Sequence, residues 1–347
     1  MKNSSRWSCL AGVSVVAALV ASLPISALAE PTAQMKTVLD TYADMAPIPL
    51  EKSTPEAVRK GPAISAAVKA VMKTEGKEVP PFTGTTQDIK IPTTAATVDA
   101  RVYIPKGDGP FPTIFYIHGG GWVIADLDVY DSSPRGLCEM TKAVVISTHY
   151  RQAPEHKFPA AHDDTWAAYQ WVTQNAGKYK GDPTKVAIAG ESAGGNMAAS
   201  ICFMAREKNF QMPVHQLLVY PVLNYAFDTE SYKKNESSKP LSAEGMKWFF
   251  KYYLASPEDG ENPRLSILRR DDLKGLPPAT IVAAEIDPLL SEGKAYADKL
   301  QAAGVPVTYH LYPKVTHEFF GMGAVIDEGK EAMTLASQQL TAAFGAK

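Results

Sequence analysis

Residues 187–200, AIAGESAGGNMAAS, place one serine, Ser192, between an apolar run and a row of small residues, with Gly190 and Gly194 two positions to either side. The apolar run VAIA at 186–189 reads as a buried strand, and AGGNMAASICFMARE from residue 193 reads as a helix. G-x-S-x-G by letters alone is a weak signal. Set between a strand and a helix, it marks a sharp corner that holds a serine exposed above a sheet. Glycines at 190 and 194 leave room where side chains would collide in so tight a turn, and Gly195 carries that tolerance into the helix start. The corner therefore implies a nucleophile and a sheet beneath it.

Further apolar runs supply that sheet. TIFYI (113–117), AVVIS (143–147), QLLVY (216–220), ATIVAA (279–284) and VTYHLY (307–312) join VAIA as strands apolar on both faces, the pattern of a mostly parallel interior sheet. TQDIKIP and DARVYIP alternate and end at prolines, so they read as an early hairpin. Amphipathic stretches lie between several runs. Trp166, Tyr169, Val172 and Ala176 share one helix face, with Asp163 or Asp164 expected to cap that helix. Strands alternating with helices predict an α/β domain with helices on both sheet faces.

Two regions fall outside this alternation. Residues 30–85 carry short helical patches broken by Pro47, Pro49, Pro55 and Pro62, and such helices need another surface to pack on. A long insertion, about 222–265 within the 86–347 domain, contains SAEGMKWFFKYYLAS, a helix with Ser242 as its N-cap and Pro257 beyond its end. Both are expected to form a helical cap. The aromatics Trp248, Phe249, Phe250, Tyr252 and Tyr253 cover more than one helix face, so most are expected in the cap core.

A serine hydroxyl needs a base to take its proton, and the nucleophile corner predicts the chain order serine, acid, histidine. After His215 only His310 and His317 remain. His310 lies within a strand and reads as structural; His317 lies in the loop that follows and is the candidate base. Asp287, in VAAEIDPLL just past a buried strand, is the candidate acid, with Glu285 its nearest rival; Asp298 falls within a helix and Asp327 after the histidine. YIHGGGW at 116–122 puts three glycines after another buried strand. Two of Gly119, Gly120 and Gly121, with the N–H of Ala193, are candidate donors to an oxyanion. His118 reads as a brace for that loop. Trp122 and Trp248 are candidate substrate-binding residues.

HGGGW, YRQAPEHKFPAAHDD, GESAGGNMA, EIDPLLSEG and HEFFGM, in that order and spacing, resemble the bacterial hormone-sensitive-lipase-like esterases of the α/β-hydrolase superfamily. The resemblance covers about residues 85–345 and extends to the N-terminal cap. It implies an α/β-hydrolase fold with a mostly parallel sheet and a helical cap, and hydrolysis of carboxylic esters by Ser192, Asp287 and His317 without a cofactor. Short- to medium-chain esters are the implied substrates. Glu191 departs from the aspartate commonest at its position, and Glu318 stands where glycine is frequent.

Other classes fit less well. The net charge of −2 gives no basic surplus for nucleic acid. HEFFG lacks the second histidine of a zinc-protease motif, and no Cys/His cluster has zinc-ligand spacing. An amidase or peptidase would share the triad, and a non-catalytic receptor on the same fold would have no need of His317. At the N-terminus, Lys2 and Arg6 precede an apolar stretch from Leu10 to Leu23 and Ala27-x-Ala29. Residues 1–29 thus read as a signal peptide, whose apolar run is too short to span a membrane. A secreted or periplasmic chain starting at Glu30 is the expectation, free of a stable membrane anchor. Its two cysteines, Cys138 and Cys202, read as buried free thiols.

Overall fold

The computed structural model describes Met1 and residues 29–345; the segment read as a signal peptide lies almost wholly outside the described residues. Three helices come first: α1 (Ala33–Asp44), α2 (Pro55–Lys60) and α3 (Ile64–Thr74). The α/β body follows as β1 (Thr85–Pro92), β2 (Thr97–Ile104), β3 (Phe111–Ile117), α4 (Ser132–Thr141), β4 (Val144–Thr148), α5 (Ala160–Asn175), β5 (Gly181–Glu191), α6 (Ala193–Glu207) and β6 (Gln216–Val219). The insertion contributes α7 (Glu230–Lys234) and α8 (Ala243–Tyr253), and β7 (Ala279–Ile286), α9 (Leu290–Ala302), β8 (Val307–Thr316) and α10 (Asp327–Gly345) complete the chain.

Among the described residues eight strands form one sheet in the order β1-β2-β4-β3-β5-β6-β7-β8. β2 runs antiparallel to both β1 and β4, and every other pairing is parallel. The proline-bounded hairpin and all six apolar runs are strands, as their patterns require. One expectation changes. VTYHLY was expected inside the sheet, but β8 pairs with β7 alone and lies at the edge, with His310 and Leu311 exposed. Its apolar run cannot by itself report that, among the described residues, no strand pairs beyond it.

Each sheet face carries its own core. On one face, α5, α6, α8 and α9 bury Trp166, Met197, Phe250 and Tyr296; on the other, α1, α3, α4 and α10 bury Val38, Val71, Leu137 and Leu340. The N-terminal helices thus find their surface against the body, and Leu50, between α1 and α2, packs with the core that contains α8. Cys202 lies on the first face and Cys138 on the second, both free and buried, with the sheet between them. Ser242 caps α8 by accepting the Gly245 N–H at 3.0 Å. The cap of α5 differs from expectation. The helix starts at Ala160, one turn before Asp163 and Asp164. Arg151 claims the buried Asp164 carboxylate at 2.8 Å, a tertiary ion pair that local sequence does not announce.

Candidate active site

β5 delivers Ser192 to the corner with φ 56° and ψ −118°, a strained conformation for a residue with a side chain. Neighbouring backbone holds it there. Its N–H donates to Val219 O at 2.9 Å, and its carbonyl accepts from Asn196 and Val222. A Cβ on Gly190 would overlap the Gly194 carbonyl, and one on Gly194 would overlap the Ile117 carbonyl oxygen. Both glycines are required by close backbone approach, one within the corner and one against β3.

His317 follows the end of β8, and Asp287 follows the end of β7. Ser192 Oγ lies 3.0 Å from His317 Nε2, and His317 Nδ1 lies 2.7 Å from Asp287 Oδ2. An ionised carboxylate only accepts, so Nδ1 carries the hydrogen and Nε2 presents its lone pair to the serine. The second carboxylate oxygen of Asp287 accepts the Leu289 N–H at 2.9 Å. All three side chains are buried. Burial opposes a positive charge on His317, but Asp287, Glu318 and Glu191 together outweigh it and raise its pKa above the ordinary 6.5.

The rivals stand elsewhere. Glu285 accepts the Lys314 N–H at 2.9 Å, and His310 packs on Tyr312 at the sheet edge with ring centroids 4.3 Å apart. Two supports for the acid lie in the insertion and gave no sequence signal. Asn235 Nδ2 donates to the Asp287 carbonyl at 3.0 Å, and Ser231 Oγ donates to the Pro288 carbonyl. The insertion clasps the loop that carries the acid.

The glycine loop turns beside the serine. Gly120 and Gly121 have φ of 95° and 56°, conformations suited to glycine, and both line the cavity that contains Ser192 and His317. A Cβ on Gly121 would overlap the Phe249 ring. Among the described residues no protein acceptor takes the N–H of Gly120, Gly121 or Ala193. Gly119 serves a different need, since its missing side chain admits the Tyr130 hydroxyl. His118 donates from Nδ1 to Gly119 O at 2.8 Å, so its Nε2 accepts from His149. Burial, with His149 beside it, pushes the His118 pKa down to about 3, in keeping with a brace.

The two tryptophans are corrections. Trp122 is fully buried and stacked on Tyr253 at 4.4 Å, and Trp248 packs on Phe249 while donating from Nε1 to Ser53 O at 2.9 Å. Neither lines the cavity. The left-handed turn at Trp122 (φ 60°) sends its ring into the core, and the neighbour Phe249 faces the site in place of Trp248.

Glu191, unassigned from sequence, lies behind the serine. It accepts hydrogen bonds from Tyr116 and Tyr220, and burial followed by the nearby Glu318 pushes its pKa up to about 7. The Tyr220 ring lies 4.4 Å from that of His317, so Glu191 steadies a side chain that backs the histidine. The cavity above has a volume of about 640 Å³ and is walled by α1, the α1–α3 connection, the glycine loop and α8.

Residues 114–321 match the family model described as an alpha/beta hydrolase fold. Carboxylic ester hydrolase LipN of Mycobacterium tuberculosis is 39% identical over 241 residues, which are 68% of this chain and 64% of that protein. The chain thus spans slightly under two thirds of LipN. Carboxylesterase NlhH of the same species is 37% identical over 68% of this chain and 75% of its own length, and ethyl acetate hydrolase of Pseudomonas putida is 34% identical over 70% and 78%. Among solved structures, a thermostable esterase from Pseudomonas putida ECU1011 aligns with a TM-score of 0.80 and 31% identity over 89% of this chain and 98% of that one. The esterase of Pyrobaculum calidifontis aligns with a TM-score of 0.78 and 34% identity over 85% and 95%. With the strand–corner–helix and its sheet in place, the chain belongs to the hormone-sensitive-lipase-like esterase family of the α/β-hydrolase superfamily.

Proposed function

We propose that the protein is a serine carboxylesterase that hydrolyses short- to medium-chain esters through an acyl-enzyme on Ser192. The observation that carries this reading is the continuous hydrogen-bonded line Ser192–His317–Asp287 at the wall of a cavity. His317 Nε2 takes the hydroxyl proton as Oγ attacks the ester carbonyl. Asp287 keeps the imidazole in the required tautomer and stabilises the imidazolium without itself taking the proton. The unused N–H groups of Gly120, Gly121 and Ala193 would receive the oxyanion. Protonated His317 then hands its proton to the leaving alcohol oxygen as the carbon–oxygen bond breaks. Water, deprotonated by the same nitrogen, then bonds to the acyl carbon; the bond to Oγ breaks, the acid leaves, and His317 returns its proton to Ser192.

The cavity bounds the acyl chain. Each added methylene contributes about 0.8 kcal/mol of binding while the pocket still has room, and overpacking reverses the gain once it is full. In a p-nitrophenyl ester series below the micellar limit, kcat/KM should peak between about two and eight carbons. Preference for long-chain emulsified triglyceride, or turnover of anilides alone, would overturn the reading.

The pH dependence has a definite sign. His317 must be neutral to accept the proton, so kcat/KM falls as pH drops through the histidine pKa. Because that pKa is raised in the folded protein, the acidic limb should lie above 6.5. A pH–rate profile whose limb falls well below that value would contradict the charge arrangement around His317.

A further inference from the structure

Glu318 has no task in the mechanism above, although it stands at the reacting end of the cavity. It follows His317 with a left-handed backbone (φ 74°), and its side chain lines the cavity with 22% of its surface exposed. Tyr130 donates to its Oε1 at 2.6 Å, and the same oxygen stands 3.9 Å from His317 Nε2. Gly119 makes this arrangement possible, because a Cβ there would overlap the Tyr130 hydroxyl. Among the described residues Oε2 has no protein donor.

Burial raises the pKa of Glu318 above its ordinary 4.5, against the pull of His317 and the Tyr130 hydrogen bond, and among the described residues no lysine or arginine pairs with it. Arg59, the guanidinium on the cavity lining, is spent on Glu155 and on the carbonyls of Val123 and Ala153. Lys239 is the other lysine or arginine on the lining, which also carries the acids Glu51 and Asp126. His149 is lowered by burial and so favours its neutral form. Tyr42 of α1 lines the same cavity, its phenol pKa raised by burial and by the charge of Glu318. The result is a carboxyl group with one oxygen free of protein donors, next to a protonated phenol, in a largely apolar pocket, where a bound cation would favour its ionised form.

We propose that Glu318 is a specificity residue selecting esters whose alcohol portion carries an ammonium group close to the ester oxygen. The proposal rests on the carboxylesterase reading of the same site. His317 Nε2 must reach the leaving oxygen, so the alcohol half of the substrate passes beside that nitrogen. A leaving oxygen within about 3 Å of Nε2 lies no more than about 7 Å from Glu318 Oε1, so an ammonium two carbons further out can reach the carboxylate when the alcohol chain runs toward it. A cation there gains a charge-assisted contact that a neutral group of the same shape cannot make.

The test compares butyrylcholine with 3,3-dimethylbutyl butyrate, in which carbon replaces the charged nitrogen. For the wild type at low salt, kcat/KM should favour the cationic ester by about five- to tenfold, and added salt should reduce the ratio. Glu318→Gln should bring the ratio close to one; a ratio taken within one enzyme cancels general damage to the neighbouring histidine. Equal rates in the wild type overturn the proposal, whether or not the variant folds, and so does an unchanged ratio in Glu318→Gln. Hydrolysis of p-nitrophenyl butyrate separates the two readings. If it proceeds without Ser192 the esterase mechanism fails, whereas if it requires Ser192 and the ratio is flat, only the role of Glu318 is lost.

Discussion

Ser192→Ala should abolish hydrolysis of short aryl esters, lowering kcat/KM by about 10⁴-fold or more, while the protein keeps its fold. That factor corresponds to about 5.5 kcal/mol of lost transition-state stabilisation. The size follows from the hydrogen-bonded line, in which neither His317 nor Asp287 has a nucleophile to activate once Oγ is gone. Folding should survive because the corner depends on backbone contacts, the Ser192 N–H to Val219 and its carbonyl to Asn196 and Val222, and alanine retains these. Circular dichroism and a melting curve alongside the kinetics check both halves. A variant that stays active would remove Ser192 from the chemistry.

Asp287→Asn should cost nearly as much, about 10⁴-fold in kcat. The amide is close in shape to the carboxylate, so the loop held by Asn235 and Ser231 should persist. What changes is the hydrogen between the residues. An amide NH₂ facing Nδ1 places the imidazole hydrogen on Nε2, where it points at Ser192 and cannot accept. The imidazolium formed during attack also loses its anionic partner. Glu285→Gln is the matched control: its carboxylate serves Lys314 at the sheet edge, so most activity should remain. Were Glu285→Gln crippling and Asp287→Asn nearly silent, the acid would be Glu285.

The fold was legible in the sequence because its strongest signals are local. Buried parallel strands announce themselves as continuous apolar runs, and the corner at Ser192 announces itself through glycines that close backbone contacts demand at 190 and 194. The order of serine, aspartate and histidine along the chain was legible for the same reason, each lying just past a strand end. β8 marks the limit of such reading, since an apolar run says nothing about whether another strand pairs beyond it.

Where local pattern ended, the tertiary structure decided. Asp164 looks like a helix cap in sequence, yet the ion pair with Arg151 defines its place. Trp122 adjoins the glycine loop, but one positive φ turns its ring into the core. Trp248 and Phe249 are neighbours on one helix, and only the packing of α8 puts Phe249 on the cavity. Glu191 and Glu318 stood out in the sequence only as departures from the family pattern, with no partner named, because Tyr116, Tyr220 and Tyr130 are 29 to 188 positions away. Sequence by itself determined the sheet, the corner and the chemical types gathered at the strand ends. Which of them face the cavity, and which carboxylates stand beside the histidine, depends on contacts between distant segments that exist only once the chain is packed.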